Sequence, residues 1–249
     1  MNSVSPRLFQ TIKELQSFNS LSSFALAGGT NLALRFNHRE SIDIDLFCTD
    51  IMGYSGFRSI REEARAFYGD KVFNFVDPTD INDQFTFLRF FVQNDAMIIK
   101  VDIIQNMKAV YQFEEVNGIR LYDIRDIGLF KLLSASSRPA KKDIYDLYYI
   151  TNDIPLNDLY EELLNKHIRF NKEEDRSIFD LDKEETAIEN PLLLLRFDKK
   201  YRVAKDKIMH THDNIVTMDN AASWQVASIQ WRMRVRKLCA HLKIDFPSP

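Results

Sequence analysis

Residues 28–47 read GGTNLALRFNHRESIDIDLF. A glycine pair opens the stretch, twelve residues separate Thr30 from Asp43, and Asp43-Ile44-Asp45 leads into Leu46 and Phe47. Side chains two apart share one face of a strand, so a strand over 41–48 points Ser41, Asp43 and Asp45 one way and Ile42, Ile44 and Leu46 into the core. Carboxylates that close repel each other unless something neutralises them, and a hard divalent cation with oxygen ligands does so. Acids on the solvent face of an exposed edge strand give the same pattern, and Asp43 and Asp45 alone do not separate the two readings. Asp102 adds weight: it sits in IIKVDII (98–104), a run whose apolar residues would otherwise exclude a carboxylate. Three acids on adjacent strands, if they converge, are a ligand set for two metal ions. A Gly-Gly between strand and helix also lets backbone approach a phosphate, with helix N-terminal N–H groups facing it.

On either side of this stretch the elements alternate. Apolar spacing predicts a helix over 6–18, a short apolar run over 23–27 ended by Gly28 and Gly29, and a short helix over 31–36. A helix is predicted over 54–68, and the runs 71–76, 84–93 and 97–104, rich in Phe, Val and Ile, have strand composition. Asn117-Gly118 is a turn leading into a short strand that ends at Tyr122. From Asp123 onward apolar positions recur at three and four. Helices are predicted over 123–136 and from 141 to 150, with a break at Arg138-Pro139, and a long one over 221–242. Between them lie an acidic connector, 171–189, and a new run from Asn190-Pro191. The expected architecture is an α+β region over 1–122 followed by a mainly helical region over 123–249.

The composition is that of a folded chain: 249 residues, 45% hydrophobic, 19 phenylalanines, and 33 basic against 36 acidic side chains for a net −3. Two cysteines, Cys48 and Cys239, are too few and too far apart for a zinc ribbon or a disulfide framework, and read as core residues in a reducing compartment. No apolar stretch reaches the ~18 residues of a membrane span, and the N-terminus has no basic region followed by an apolar run, so a cytoplasmic protein is expected. Charge is uneven: residues 1–195 carry 22 basic and 31 acidic side chains, residues 196–249 carry 11 and 5. Arg232, Arg234, Arg236 and Lys237 are candidates for an RNA-facing patch, although a solvated helix face gives the same count. His210, His212 and Asp213 lack a further His or Cys at usable spacing and read as loop. Trp224 and Trp231, seven apart, read as a buried stripe.

The 28–47 stretch resembles the first motif of the polymerase-β-type nucleotidyltransferase superfamily, in the form found in AbiEii/AbiGii-type toxin nucleotidyltransferases. Residues 123–150, DIRDIGLFKLLSASSRPAKKDIYDLYYI, resemble that family's downstream motif, with Lys131 on one helix, Arg138 at the break, then Lys141, Lys142, Asp143 and Asp146. The resemblance spans 26–150. It implies a polymerase-β-like mixed sheet with flanking helices, followed by a helical region that completes the active site. It gives Asp43 and Asp45 to magnesium, or manganese, in a two-metal site, with Asp102 as third metal carboxylate and candidate base. Gly28, Gly29 and Thr30 would contact the triphosphate, Ser41 matches the small hydroxyl residue before the first Asp, and Lys131 and Asp146 would join the catalytic set. Lys142 and Asp143 are supporting nucleotide-binding candidates. The family motif carries His-Arg where His38 and Arg39 stand, and Arg39 is expected to pair with an acid and orient the loop.

Blander readings accompany several of these residues. Lys131 also reads as a lysine snorkelling from an apolar helix. Lys142 with Asp146 reads as an i,i+4 pair of about 0.3–0.5 kcal/mol, and Asp143 as a complement to a helix dipole. The implied activity is transfer of an NMP from an NTP to an acceptor hydroxyl with release of pyrophosphate. It implies the toxin of a toxin–antitoxin or phage-defence pair, with RNA, tRNA in particular, as acceptor and a cognate antitoxin as protein partner. Two other readings stay open: transfer to a small molecule or a protein, and a catalytically silent interaction module that keeps the fold.

Overall fold

The computed structural model describes residues 3–78, 83–95, 97–181, 184–198 and 214–248. His210, His212 and Asp213 lie outside the described residues. The chain divides into two compact units: a sheet unit, Asn2–Asp123 with Phe170–Leu181, and a helical unit, Ile124–Arg169 with Asp182–Pro249.

The sheet unit holds seven strands, β1 Ala25–Leu26, β2 Ile44–Phe47, β3 Val72–Val76, β4 Phe87–Asn94, β5 Met97–Ile104, β6 Glu114–Val116 and β7 Ile119–Leu121, in the order β3-β4-β5-β2-β1-β7-β6. The sheet is mixed. β2 is parallel to β5 and β1 to β7, while the other neighbours are antiparallel. Alternation along the strands decides the two faces. Leu88, Phe90, Val92, Ile99, Val101 and Ile103 are buried on one face, in one core with Leu8, Ile12 and Leu15 of α1 (Pro6–Gln16) and Phe57, Ile60 and Ala64 of α3 (Gly53–Tyr68). Burying each large apolar side chain contributes about 1.5–3 kcal/mol. The opposite face carries Arg89, Phe91, Lys100, Asp102 and Asp45, which the pairing register sets side by side.

Local chemistry explains where elements start. Ser5 caps α1, accepting from the Leu8 N–H at 3.1 Å, with Pro6 at the first helical position. Asn117 and Gly118 both have positive φ, 54° and 74°, as a two-residue hairpin between β6 and β7 requires. The helix α2 spans Gly28–Phe36, so it begins at the glycine pair rather than at residue 31. β4 starts at Phe87 rather than 84, because Asp83–Phe85 form a 3-10 turn.

β2 is shorter than the predicted 41–48 strand. Ser41 bridges Val4 and donates its N–H to the Ser3 carbonyl at 2.9 Å, and pairing with β5 begins only at Ile44 opposite Val101. The pleat therefore breaks before Ile44, and Ile42, expected in the core, is 51% exposed.

In the helical unit, α4 (Ile124–Ser137) and α5 (Lys141–Asp153) flank the break at Arg138-Pro139, followed by α6 (Leu156–Arg169), a 3-10 turn at Pro191–Leu195 and α7 (Trp224–Leu242). Trp231 is buried and its indole N–H donates to the Leu194 carbonyl at 3.0 Å; Trp224 is half-buried, edge-on to Phe197. The connector 171–189 contains the 3-10 turns Glu173–Asp175 and Ile178–Asp180. Cys48 and Cys239 are buried free thiols, and burial pushes the Cys48 thiol up to about 12. Among the described residues no helix is long and apolar enough to cross a membrane.

Candidate active site

Because β2 and β5 run parallel with Asp45 opposite Asp102, these two acids sit on neighbouring strands about 4.8 Å apart, on the face away from the core. Asp43 immediately precedes β2. Lys100, two residues before Asp102 on the same strand face, places its ammonium 3.2 Å from Asp43 Oδ2 and 3.4 Å from Asp102 Oδ2. Arg89 lies opposite Asp102 across β4 and β5 and grips it with two bonds, Nε to Oδ1 at 2.6 Å and Nη2 to Oδ2 at 3.0 Å. Burial depresses the Lys100 ammonium, but Asp102, Asp43 and Asp45 together outweigh it and hold the group above its usual range. The hydrogen bonds to Asp102 likewise hold Arg89 above its own.

The glycine pair does a local job. Gly28 has φ +61°, and a Cβ there would overlap the carboxylate of Asp45; a Cβ on Gly29 would overlap the guanidinium of Arg39. Two glycines thus let an acid and a base seat against the start of α2, where a carboxylate meets the positive end of the helix dipole. Arg39 is buried and donates Nη1 to the Glu40 carbonyl at 3.1 Å. Thr30 and Ser41, expected to face nucleotide, are both buried with their hydroxyls 2.7 Å apart. Thr30 spends its proton on the Asp43 carbonyl, so Ser41 donates to Thr30. This pair ties the approach to β2 onto α2 and fixes the backbone of Asp43.

The second cluster lies within the helical unit. Lys131 of α4 does not snorkel: its ammonium is buried 2.8 Å from Asp143 Oδ1 and 2.7 Å from Asp146 Oδ2, both on α5. Arg138, at the break, completes the set through Nε to Asp143 Oδ2 at 2.8 Å. Burial pushes the Asp143 carboxyl up, yet Lys131 and Arg138 pull it further down, and it ends below its usual range. Asp146 is buried against Lys131 and so is no surface i,i+4 partner, while Lys142 is half-buried on α5.

The basic C-terminal patch does not form as one face. Arg232 pairs with Asp198 at 3.3 Å, and Arg234 donates to the Tyr148 carbonyl at 2.6 Å and to Asn152 Oδ1 at 2.5 Å. Only Arg236 and Lys237 of the four are exposed. Residues two apart on a helix point to opposite sides, so Arg234 turns away from Arg232 and Arg236.

The donor chemistry suits a hard cation. Asp43 and Asp102 already share the Lys100 ammonium, a cation standing where their charges converge, and Asp45 lies in the cradle left by Gly28. Both oxygens of Asp102 are engaged by Arg89. Among the described residues no three acidic, histidine or cysteine side chains are gathered as a ready-made metal cage. A divalent ion held by Asp43 and Asp45 would displace Lys100 from Asp43.

The family model described as nucleotidyl transferase AbiEii toxin, type IV TA system, matches residues 13–234. The chain belongs to that family. The uncharacterized protein aq_aa25 of Aquifex aeolicus (strain VF5) is 26% identical to this AbiEii-family chain over 150 residues, 57% of the chain and 64% of the relative. The chain thus spans less than two thirds of the curated relative that it matches. Among solved structures it is similar to MenT4, a nucleotidyltransferase toxin from Mycobacterium tuberculosis H37Rv, with a TM-score of 0.47 and 16% identity, covering 97% of this chain and 85% of that one.

Two residues of the AbiEii-family sheet cluster escaped the sequence reading. Lys100 shares a strand face with Asp102 by alternation, so its position was available from spacing alone. Arg89 was not: what brings it to Asp102 is the cross-strand register, which no local pattern states.

Proposed function

We propose that this chain transfers an NMP from an NTP to a hydroxyl of RNA, a tRNA end in particular, in a metal-dependent reaction, as the toxin of a pair with a protein antitoxin. The observation that carries the reading is the alignment of Asp45 with Asp102 on parallel strands, with Asp43 beside them and Gly28 seating Asp45. Family membership supports nucleotidyl transfer as the chemistry.

In this reading Asp43 and Asp45 hold magnesium or manganese, and Asp102 supports that site. When bound, the divalent ion supplies charge neutralisation at the phosphates and at departing pyrophosphate. The chain's own residues do the rest. Gly28 and Gly29 seat the Asp45 carboxylate and the Arg39 guanidinium against the start of α2, and contact of their backbone with the triphosphate enters on the family motif. Thr30 and Ser41 hold the Asp43 backbone so that its carboxylate stays on the face of Asp45. Arg89 fixes the orientation of Asp102, whose remaining lone pairs can accept the proton of the attacking hydroxyl. Lys131, Lys142, Asp143 and Asp146 enter on the family motif. In the helical unit the pairs of Lys131 with Asp143 and Asp146 hold the α4–α5 break in place.

The test is incubation of the full chain with each of four α-labelled NTPs, magnesium and total cellular RNA, alongside Asp45→Asn. Label in an RNA band of tRNA size with wild type alone is the expected result, and it names the nucleotide. Label on protein or on a small molecule would replace the acceptor, and no transfer to anything would turn the reading toward a silent interaction module.

A further inference from the structure

The face of the sheet that carries the acids also carries rings and cations, and register lays them in rows. Phe73 of β3 lies opposite Phe91 of β4, Phe91 opposite Lys100 of β5, and Lys100 reaches Asp43 at 3.2 Å. The next row runs Val76, Arg89, Asp102, Asp45. Each row therefore passes from apolar through cationic to acidic as it nears β2. The Phe73 and Phe91 rings are stacked, centroids 5.9 Å apart at 23°, and both are only half-buried. They are not core, since the core side of the same strands is already filled by Val72, Phe90 and Val92.

We propose that these rows seat the acceptor: the unpaired end of a single-stranded polynucleotide stacks a base on Phe91 and Phe73, and Lys100 and Arg89 hold its phosphate beside the acids. This rests on the nucleotidyl-transfer reading above and assigns its acceptor subsite. Rings beside cations are the recognition chemistry of single strands, because every base has a π-face and every linkage a charge, whereas paired bases in a duplex cannot stack on a side chain. The scale fits. Phe91 and Asp43 are separated by two strand spacings, roughly 10 Å, on the order of one nucleotide. The side fits too: Gly28 and Gly29 lie toward β1 from Asp45, and in-line transfer puts attacking and leaving oxygens on opposite sides of the phosphorus. A triphosphate at the glycines leaves the β4 and β5 side to the acceptor.

The experiment is fluorescence anisotropy of a short labelled single-stranded RNA with the full chain as wild type, as Phe73→Leu with Phe91→Leu, and as Phe67→Leu, which alters a ring on α3 that is 54% exposed. The double variant is expected to lose RNA affinity by about tenfold or more, with Phe67→Leu unchanged and affinity for a fluorescent NTP analogue retained. Loss of NTP binding with RNA binding kept would make the rings a seat for the incoming base and overturn the proposal. Absence of RNA binding by wild type, or binding that survives both ring substitutions, would overturn it as well. Should the double variant unfold, Lys100→Gln replaces it, and the slope of log affinity against log salt is expected to fall by about 0.7 for one lost phosphate contact; an unchanged slope counts against the proposal. Wild type that binds RNA through the rings but labels nothing removes the transfer reading and leaves a single-strand seat without an acceptor role. A double variant that labels RNA as well as wild type keeps the transfer reading and overturns this proposal.

Discussion

The sheet unit and the helical unit each gather acids and bases into one cluster, and the two clusters are built to opposite rules. In the helical unit Lys131, Asp143 and Asp146 have side chains at most 10% exposed, and two acids face two cations, Lys131 and Arg138. In the sheet unit Asp43 and Arg89 are 43% and 41% exposed, and Lys100 bridges Asp43 and Asp102 while Arg89 holds Asp102. A buried charge without a partner is costly, so the helical quartet is matched in number and geometry. Where water reaches, a carboxylate can exchange a partner within the fold for a ligand at little cost. Burial marks a cluster that serves the fold; exposure marks one that a ligand can reach.

The largest effect that tests this contrast is expected from Lys131→Met. It leaves Asp143 and Asp146 buried without their shared cation and is expected to cost about 3–5 kcal/mol, read from the urea unfolding midpoint. A variant as stable as wild type would break the contrast. Next comes Gly28→Ala, expected to cost about 2 kcal/mol or more in thermal melts, from the positive φ and from the Asp45 carboxylate it displaces. Gly118→Ala sharpens the point: at φ +74°, with Lys13 Nζ 3.8 Å away as the nearest atom, it carries the backbone strain alone and is expected to cost less. Equal costs would show that Asp45 does not depend on Gly28.

Acid brings a smaller effect. Asp143 is held below its ordinary 3.8, so its contribution is fully present above that pH and is lost as pH falls through the lower folded value. Melting temperature measured from pH 5 downward is expected to fall less steeply for Asp143→Asn than for wild type, and parallel curves would deny the coupling. The smallest effect is on the sheet side. Asp45→Asn is expected to change stability by no more than about 0.5 kcal/mol, because relief of repulsion among the acids offsets the lost attraction to the N-terminus of α2. Destabilisation by several times that amount would make Asp45 a structural residue.

Most of the fold could be read from the chain because its signals are local. Alternation located β5 at its observed bounds, the Asn117-Gly118 pair located the hairpin, and three-four periodicity with the Pro139 break located α4 and α5. The errors fall where a distant segment intervenes. Val4 and Ser3 pair with Ser41 and break the pleat, which turned Ile42 outward. The acids were found because carboxylates among apolar residues stand out, but their counter-ions were not, since Arg89 reaches Asp102 only through register. For Thr30 and Ser41 the sequence shows a hydroxyl, and only the fold shows that it is bonded to its neighbour and to the backbone before β2. Of the four basic residues on α7, Arg234 is turned away from Arg232 and Arg236, because residues two apart on a helix point to opposite sides.

The sheet unit is not finished where its last strand ends. Phe170–Leu181 returns to it, and there the carbonyls of Glu174 and Arg176 accept from the buried Asn106 amide at 3.0 and 2.6 Å, while Glu173 and Arg176 accept from Gln84. During synthesis those acceptors leave the ribosome only after α4, α5 and α6 have been made. The acid-bearing sheet thus waits on the helices encoded between its two parts, and a nascent chain stopped at Asp123 holds every proposed metal ligand in a sheet whose closing segment has yet to be translated.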